Sequence, residues 1–262
     1  MVQFQPAKTS LRLETLVNVT QRSGYDNQPH FLPDGTLLYT SIRDDNQADI
    51  YHYNPKTKQT RQVTRTAESE YSPTLMPDGQ HISVIRVEAN NDQRLWQFDL
   101  KGENAKVLLE TVKGIGYHAW LDSKKLGVFI VGQPHTLQWV TTGEEKPSVA
   151  LSNIGRCLSI VPQTGALSIV HKRSPQEWML VAMDGSSGEK KDLRLMLEGS
   201  EDFAWTPEGT LISGQGTTIY RSTPLAESVW QPVADLNHLG IQAINRLAVS
   251  KDGQWLAFVA AN

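Results

Sequence analysis

One pattern recurs six times along the chain and constrains its fold more than any other feature. Residues 28–35 (QPHFLPDG) align with residues 72–79 (SPTLMPDG) at an offset of 44 residues. The same frame continues with more drift, so that one apolar anchor can be assigned to each repeat. The anchors are Phe31, Leu75, Trp120, Ile160, Trp205 and Val249, separated by 44, 45, 40, 45 and 44 residues. Such spacing, with frequent turn signals, is typical of four-stranded propeller blades.

Each repeat carries strand-like segments at matching places. An apolar segment follows the turn after each anchor, as in residues 37–40 and 81–85. The Asp-Gly pairs at these turns suit hairpins, because glycine adopts positive φ and the carboxylate accepts backbone N–H groups. Helical periodicity is confined to a turn near residues 235–240. The sequence therefore predicts an all-β, six-bladed β-propeller with four-stranded antiparallel blades, in a single domain over residues 1–262.

The sixth repeat is incomplete at the end of the chain. By the spacing of a four-stranded blade, its third strand should begin about 14 to 20 residues after Val249, but the chain ends at Asn262. Residues 11–19 precede the first anchor, where a fourth strand belongs. We therefore expect this N-terminal strand to close the last blade, since closure pairs the exposed edges of the ring.

Charge and composition exclude several classes of function. A net charge of −3, with basic and acidic residues interspersed, predicts neither a nucleic-acid partner nor an anionic lipid surface. Because no apolar run approaches the roughly 18 to 20 residues of a membrane helix, we expect no membrane insertion. The single cysteine, Cys157, forms no internal disulfide and is interpreted as a small buried apolar residue. The first six residues lack the pattern of a signal peptide.

The first two repeats resemble those of a known family. Residues 29–35, 39–44 and 48–51, and then residues 71–73 and 76–79, are similar to the WD-like repeats of TolB-type propellers. The resemblance implies a bacterial protein that is periplasmic or secreted and has a binding role. The sequence has no room for the α/β domain that accompanies the propeller of TolB. Similar propellers also occur beside serine peptidase domains and in a pectin-fragment lyase, so the motifs specify the fold better than the function.

Ligands of propellers usually bind at the mouth of the central channel, on the top face, where the innermost strands begin. In this frame the corresponding residues lie three to five positions before each anchor, with one histidine beside them. The candidate ligand-binding residues are Asp26, Gln28, Glu70, Tyr117, His118, Arg156, Glu201, Asp202 and Arg246. The arginines suit a carboxylate or phosphate, and the tyrosine suits a sugar or aromatic ring. The other interpretation is a set of salt bridges between blades around a solvated channel.

Motifs for catalysis and metal binding are absent from the sequence. The seven histidines form no His-x-His or His-Glu-x-x-His pair, and no Gly-x-Ser-x-Gly segment or glycine-rich phosphate loop occurs. The acidic loop at residues 43–49 lacks the glycine and the closing glutamate of an EF-hand. Glu201 and Asp202 could act as acid and base with His118, although adjacent acids in a loop are more commonly solvated. We therefore predict no catalytic residues, no metal and no cofactor.

These observations favour a non-enzymatic, monomeric binding or scaffold propeller of the bacterial cell envelope. It would engage a protein, peptide or glycan partner through the top face and the channel mouth. The alternative is an enzyme, a lyase or hydrolase, that acts on a small anionic or sugar substrate in the channel.

Overall fold

The computed structural model shows six four-stranded antiparallel sheets that form the blades of a propeller, which confirms the predicted fold. It describes residues 1–5, 10–43, 46–144, 146–225 and 228–261. The chain begins with β1 (Val2–Gln5), β2 (Ser10–Arg12) and a 3-10 helix, Leu13–Thr15. A second 3-10 helix, Asn237–Leu239, lies where the sequence indicates a helical turn. Within the described ranges, neither helix has the length or the apolar character needed to cross a bilayer.

Each of the first five blades uses four consecutive strands, with the innermost strand first. Blade 1 has β3 (Asp26–Phe31), β4 (Leu37–Ile42), β5 (Ala48–Asn54) and β6 (Gln59–Gln62); blade 2 has β7 (Ser69–Leu75), β8 (His81–Val87), β9 (Gln93–Asp99) and β10 (Lys106–Val107). Blade 3 has β11 (Ile115–Trp120), β12 (Lys125–Ile130), β13 (Thr136–Thr141) and β14 (Ser148–Ser152). Blade 4 has β15 (Ile154–Ile160), β16 (Leu167–Lys172), β17 (Trp178–Met183) and β18 (Lys190–Leu195); blade 5 has β19 (Phe203–Trp205), β20 (Leu211–Gln215), β21 (Thr218–Ser222) and β22 (Gln231–Asp235).

The last blade joins the two ends of the chain. Its strand order is β23 (Ala243–Val249), β24 (Trp255–Ala261), β1 and β2, from the channel outward. N-terminal closure is therefore confirmed, but the prediction of one strand over residues 11–19 was wrong in extent. Two short strands close the blade, because Val2 and Phe4 point to one face and are buried against blade 5 residues such as Ile212. The alternating pair Val2 and Phe4 is the signal that the repeat frame overlooked.

The apolar core lies between neighbouring blades. Ile85 and Leu95 of blade 2, for example, pack in one buried cluster with Leu126 of blade 3. Two tryptophans add a repeated polar contact to this packing. The Nε1 of Trp120 donates to Ser83 Oγ at 2.9 Å, and the Nε1 of Trp205 donates to Ser168 Oγ at 2.9 Å. Each bond joins an innermost strand to the second strand of the preceding blade.

Candidate functional site at the channel mouth

The innermost strands share an irregularity where they approach the channel. In five blades the register between the first and second strands shifts near the residue three positions before the anchor. Gln28, Ser72 and Arg246 occupy this position in blades 1, 2 and 6, with φ of 56°, 54° and 41°. Positive φ is unfavourable for residues other than glycine, and bulges redirect side chains. The repeat thus places strained backbone where side chains turn toward the channel.

Blades 4, 5 and 6 contribute a charged arc to the mouth. Asp202 of blade 5 lies between two arginines, with its carboxylate oxygens 3.0 Å from Arg246 Nη1 and 3.9 Å from Arg156 Nη2. Glu201 lies 2.9 Å from Arg156 Nε and 2.7 Å from Lys172 Nζ. These three cations and two carboxylates leave the arc with one excess positive charge. The arc therefore favours a ligand group with negative charge.

Blades 1, 2 and 3 contribute an aromatic arc. The rings of Tyr25 and Tyr71 meet edge to face, with centroids 6.4 Å apart. Burial raises the pKa of the Tyr25 phenol, and the nearby Tyr117 raises it further. The Arg246 guanidinium lies 4.5 Å from the centroid of the Tyr117 ring. Because blades 3 and 6 stand opposite each other in the ring, this cation–π contact crosses the channel and joins the two arcs.

A cavity of about 140 Å³ occupies the channel at this level. Three buried polar atoms on its lining residues make no hydrogen bond within the described residues: Ser72 Oγ, His118 Nδ1 and Asp202 Oδ1. Asp202 Oδ1 still forms its ion pair with Arg246. Buried polar atoms in folded proteins nearly always have a partner, from the protein or from a bound molecule. The cavity thus presents hydrogen-bonding groups without a protein partner to a small polar ligand.

The two histidines of the channel are neutral. Burial lowers the pKa of His118 to about 3 and that of His30 to about 4. His118 Nε2 lies 2.7 Å from Ser83 Oγ, and His30 Nε2 accepts the backbone N–H of Leu75 at 3.1 Å. They act as hydrogen-bonding groups at physiological pH, so the positive charge of the mouth comes from arginine and lysine.

The structure brings most of the predicted site residues together. One cavity is lined by Gln28, Tyr117, His118, Arg156, Asp202 and Arg246. Glu201 contacts this group through Arg156. Within the group, the Gln28 side-chain oxygen also links two blades, because it accepts from Thr40 Oγ1 at 2.8 Å and from the Ser72 N–H at 2.9 Å.

Two predicted residues lie away from the cavity lining. Asp26 lies beside the place where the last blade meets blade 1. Both of its carboxylate oxygens accept from Arg22 Nη1 at 3.0 Å, and one of them also accepts from Ser41 Oγ at 2.6 Å. Glu70 has no exposed surface and contacts the Thr66 hydroxyl and Arg86. Burial raises the pKa of Glu70 to about 7. In the acidic loop at residues 43–49, Asp44 and Asp45 lie outside the described residues.

Sequence reasoning missed two contributors to the site. Lys172 ends the second strand of blade 4, and only the ring geometry reveals that it reaches Glu201 of blade 5. Cys157 lines the cavity, and its thiol donates to the Phe203 carbonyl at 3.2 Å. Burial raises the pKa of this thiol to about 12, so the sulfur stays protonated. Its position three residues before Ile160 was the available signal, since that frame position faces the channel in other blades.

Fold and site together define a six-bladed propeller whose channel mouth is polar and crossed by a cation–π pair. No protein-family model matches the chain, and no curated protein matches it. Among the described residues, no group of three histidine, cysteine, aspartate or glutamate side chains is placed to hold a metal ion.

Solved structures match the chain at low sequence identity. A protein provisionally named TolB from Agrobacterium tumefaciens is 12% identical, with a TM-score of 0.73 over 99% of this chain and 97% of that one. TolB from Acinetobacter baumannii is 16% identical, with a TM-score of 0.59 over 91% of this chain; the match spans only 55% of that protein. A gluconolactonase from Xanthomonas campestris is 10% identical, with a TM-score of 0.72 over 99% of this chain and 91% of that one. The resemblance to TolB-type propellers is thus confirmed at the level of the fold.

Proposed function

We propose that the protein is a non-enzymatic binding or scaffold propeller that engages a protein, peptide or glycan partner through its channel mouth. The carrying observation is the pair of unpartnered polar atoms Ser72 Oγ and His118 Nδ1, on residues that line one cavity together with the charged Asp202 and Arg246. Leaving a buried polar atom unsatisfied costs about 1 to 3 kcal/mol. A polar group of a ligand that enters the cavity would recover part of this free energy.

The rim of the cavity indicates the chemistry of that ligand. Arg156 keeps 46% of its side-chain surface exposed, so it can turn from Glu201 to a carboxylate of the partner. The exposed phenol ring of Tyr25 offers a face for a sugar or aromatic ring. A partner that combines a carboxylate with a ring, such as an acidic sugar or the C-terminal residue of a peptide, suits both arcs.

We further propose that this binding takes place in the bacterial cell envelope and that the protein acts as a monomer over residues 1–262. The shared fold with TolB proteins supports the location. The closed ring supports the monomer, because all four strands of the last blade come from this chain and the ring closes without a strand from a second copy.

A second candidate function is an enzyme that acts on a small anionic or sugar substrate at the same mouth. The adjacent carboxylates of Glu201 and Asp202 favour it, since Asp202 lines the same cavity as the neutral imidazole of His118. The fold is also shared with a gluconolactonase. In this role one carboxylate would accept a proton while the imidazole bonds a substrate oxygen.

A titration with matched probes tests the binding proposal. Digalacturonate and a short peptide with a free C-terminal carboxylate are compared with neutral digalactose and with the C-terminally amidated peptide, by calorimetry and thermal shift. We expect binding of at least one acidic probe and about a fivefold to tenfold loss of affinity in Arg156→Gln. The matched control is Lys251→Gln, an exposed cation in the turn at the opposite end of the innermost strand.

Two results would count against the proposal. Equal affinity of Arg156→Gln and wild type for the acidic probe would show that the charged arc does not contribute to binding. Conversion of the bound probe by the wild type, lost in Glu201→Gln with binding retained, would favour the enzyme instead.

A further inference from the structure

One side of the channel cavity is formed by blades 1, 2 and 3, and no acidic residue lines it there. The polar residues on this side are Gln28, His30, Ser72, Thr74, Tyr117 and His118. The carboxylate in the lining, that of Asp202, belongs to blade 5 and is paired with Arg246 at 3.0 Å. A ligand therefore meets neutral groups on the side of blades 1 to 3. Whether these groups donate or accept hydrogen bonds decides which ligand fits.

The backbone fixes the orientation of the Gln28 side-chain amide. One atom of this amide contacts the backbone N–H of Ser72 at 2.9 Å and Thr40 Oγ1 at 2.8 Å. Because a backbone N–H can only donate, that atom is the amide oxygen. The amide nitrogen of Gln28 has no acceptor in the described part of the chain. Its two N–H groups are left for a ligand.

The same reasoning fixes the tautomer of His30. Its Nε2 accepts the backbone N–H of Leu75 at 3.1 Å. Burial lowers the pKa of His30 to about 4, so the ring is neutral and carries one proton, which must be on Nδ1. This Nδ1–H has no acceptor within the described ranges. His30 therefore supplies a donor and has no lone pair left for a metal ion.

The tautomer of His118 follows from its contact with Ser83. The Ser83 hydroxyl lies 2.7 Å from His118 Nε2 but 3.3 Å from the Thr74 carbonyl oxygen. Trp120 Nε1 donates to the same hydroxyl oxygen at 2.9 Å, so the hydroxyl proton is left for an acceptor. It goes to the nearer one, Nε2, and the ring proton of His118 is then on Nδ1. This Nδ1 is buried without a partner, as is the hydroxyl of Ser72.

Four side chains thus form a set that we call the donor wall. They are Gln28, His30, Ser72 and His118. Arg246 lines the same cavity from blade 6, with 12% of its side chain exposed. Its guanidinium makes an ion pair and a cation–π contact but no hydrogen bond to a described residue. A carboxylate suits these groups, because it carries a negative charge and its two oxygens accept about four hydrogen bonds.

We propose that the donor wall and Arg246 form a carboxylate subsite, which holds one carboxylate of the ligand inside the cavity of about 140 Å³. This inference rests on the proposed function, since it names the group of the partner that enters the channel. It adds that neutral donors of blades 1 to 3 select the carboxylate, in addition to the rim residue Arg156. An ammonium group, which can only donate, finds no acceptor on the donor wall.

Nitrogen NMR of protein labelled with ¹⁵N-histidine examines the subsite with small probes. Without a probe, both His30 and His118 should give the signature of the Nδ1–H tautomer. Sodium acetate should then shift both Nδ1 resonances with a saturable dependence, whereas sodium chloride at equal ionic strength should not. Acetamide has nearly the same shape but no charge, so it should bind about tenfold more weakly than acetate.

Glycine and glutamine variants locate the probe. Ser72 has a φ of 54°, so Ser72→Gly removes a donor without adding strain and should weaken acetate binding about fivefold. The matched control is Asn91→Gly, which relieves a φ of 65° in the exposed turn between β8 and β9 and should leave acetate binding unchanged. His30→Gln keeps an acceptor for the Leu75 N–H but removes the Nδ1–H, and it should also weaken binding. Melting temperatures check that each variant folds.

Three results would overturn the carboxylate subsite. These are an Nε2–H tautomer of His30, equal affinities for acetate and acetamide, or equal acetate affinities of Ser72→Gly and Asn91→Gly. Failure of the proposed function is a different result. Acetate binding as expected, without binding of digalacturonate or the acidic peptide, would support the subsite and contradict the larger partner. Binding of those larger probes that depends on Arg156 but leaves both histidine resonances unshifted would contradict the subsite alone.

Discussion

Replacing Glu70 with glutamine is expected to stabilise the protein at pH 8 and to leave its stability nearly unchanged at pH 4. The Glu70 carboxyl has no exposed surface, and burial raises its pKa from 4.5 to about 7. The folded protein therefore binds this proton more tightly than the unfolded chain does. Its free energy of unfolding falls as pH rises from about 4.5 to about 7, because over this range the unfolded chain releases the proton while the folded protein still binds it.

The magnitude follows from the two pKa values. Their difference corresponds to about 3 kcal/mol at 1.36 kcal/mol per pKa unit. Glutamine stays neutral, and its side-chain oxygen can still accept from the Thr66 hydroxyl. Arg86 keeps its ion pair with Glu68. We therefore expect Glu70→Gln to gain about 2 to 3 kcal/mol of unfolding free energy at pH 8.

Urea unfolding followed by tryptophan fluorescence measures this difference. The midpoint should rise in Glu70→Gln at pH 8 with an unchanged slope, and the two proteins should converge at pH 4. The matched control is Glu68→Gln, since Glu68 also contacts Arg86 but keeps 26% of its side-chain surface exposed. A less stable Glu70→Gln at pH 8 would refute the reasoning, because attraction to Arg86 would then outweigh the loss of hydration.

Three further predictions concern the seam, the blade contacts and the channel. Deleting residues 1–20 should open the ring and lower the melting temperature by more than 10 °C, since Phe4→Ala alone should lose about 3 to 5 kcal/mol; an unchanged melting temperature would contradict the closure. Trp205→Phe should lose about 1 kcal/mol in urea unfolding, because Ser168 Oγ loses a donor, and no loss would show that the bond contributes nothing. Cys157 should resist iodoacetamide at pH 8 in the folded protein and react in denaturant, because its pKa is about 12; rapid labelling of the folded protein would show an accessible thiolate.

The sequence predicted the parts of the site that depend on the repeat frame. Residues three positions before the anchors include Gln28, Tyr117, Asp202 and Arg246, and the structure places all four on one cavity. The frame could not predict that Glu70, two residues before Ser72 in the same strand, is buried between blades. A strand alternates its faces, and the bulge shifts that alternation by an amount the sequence does not reveal. The role of these residues in binding stays a prediction.

The number of blades, their antiparallel strands and their turns were determined by the sequence alone. These features are local: at residues 34–36, for example, Gly35 adopts a φ of 83° and Asp34 accepts the N–H of Thr36 at 3.0 Å. Only the tertiary structure decided which charges meet and which strands close the ring. Arg246 reaches Tyr117 from the opposite blade, and Val2 reaches Leu256 from the other end of the chain. Such contacts depend on the curvature that closes six blades into a ring, which no single repeat encodes.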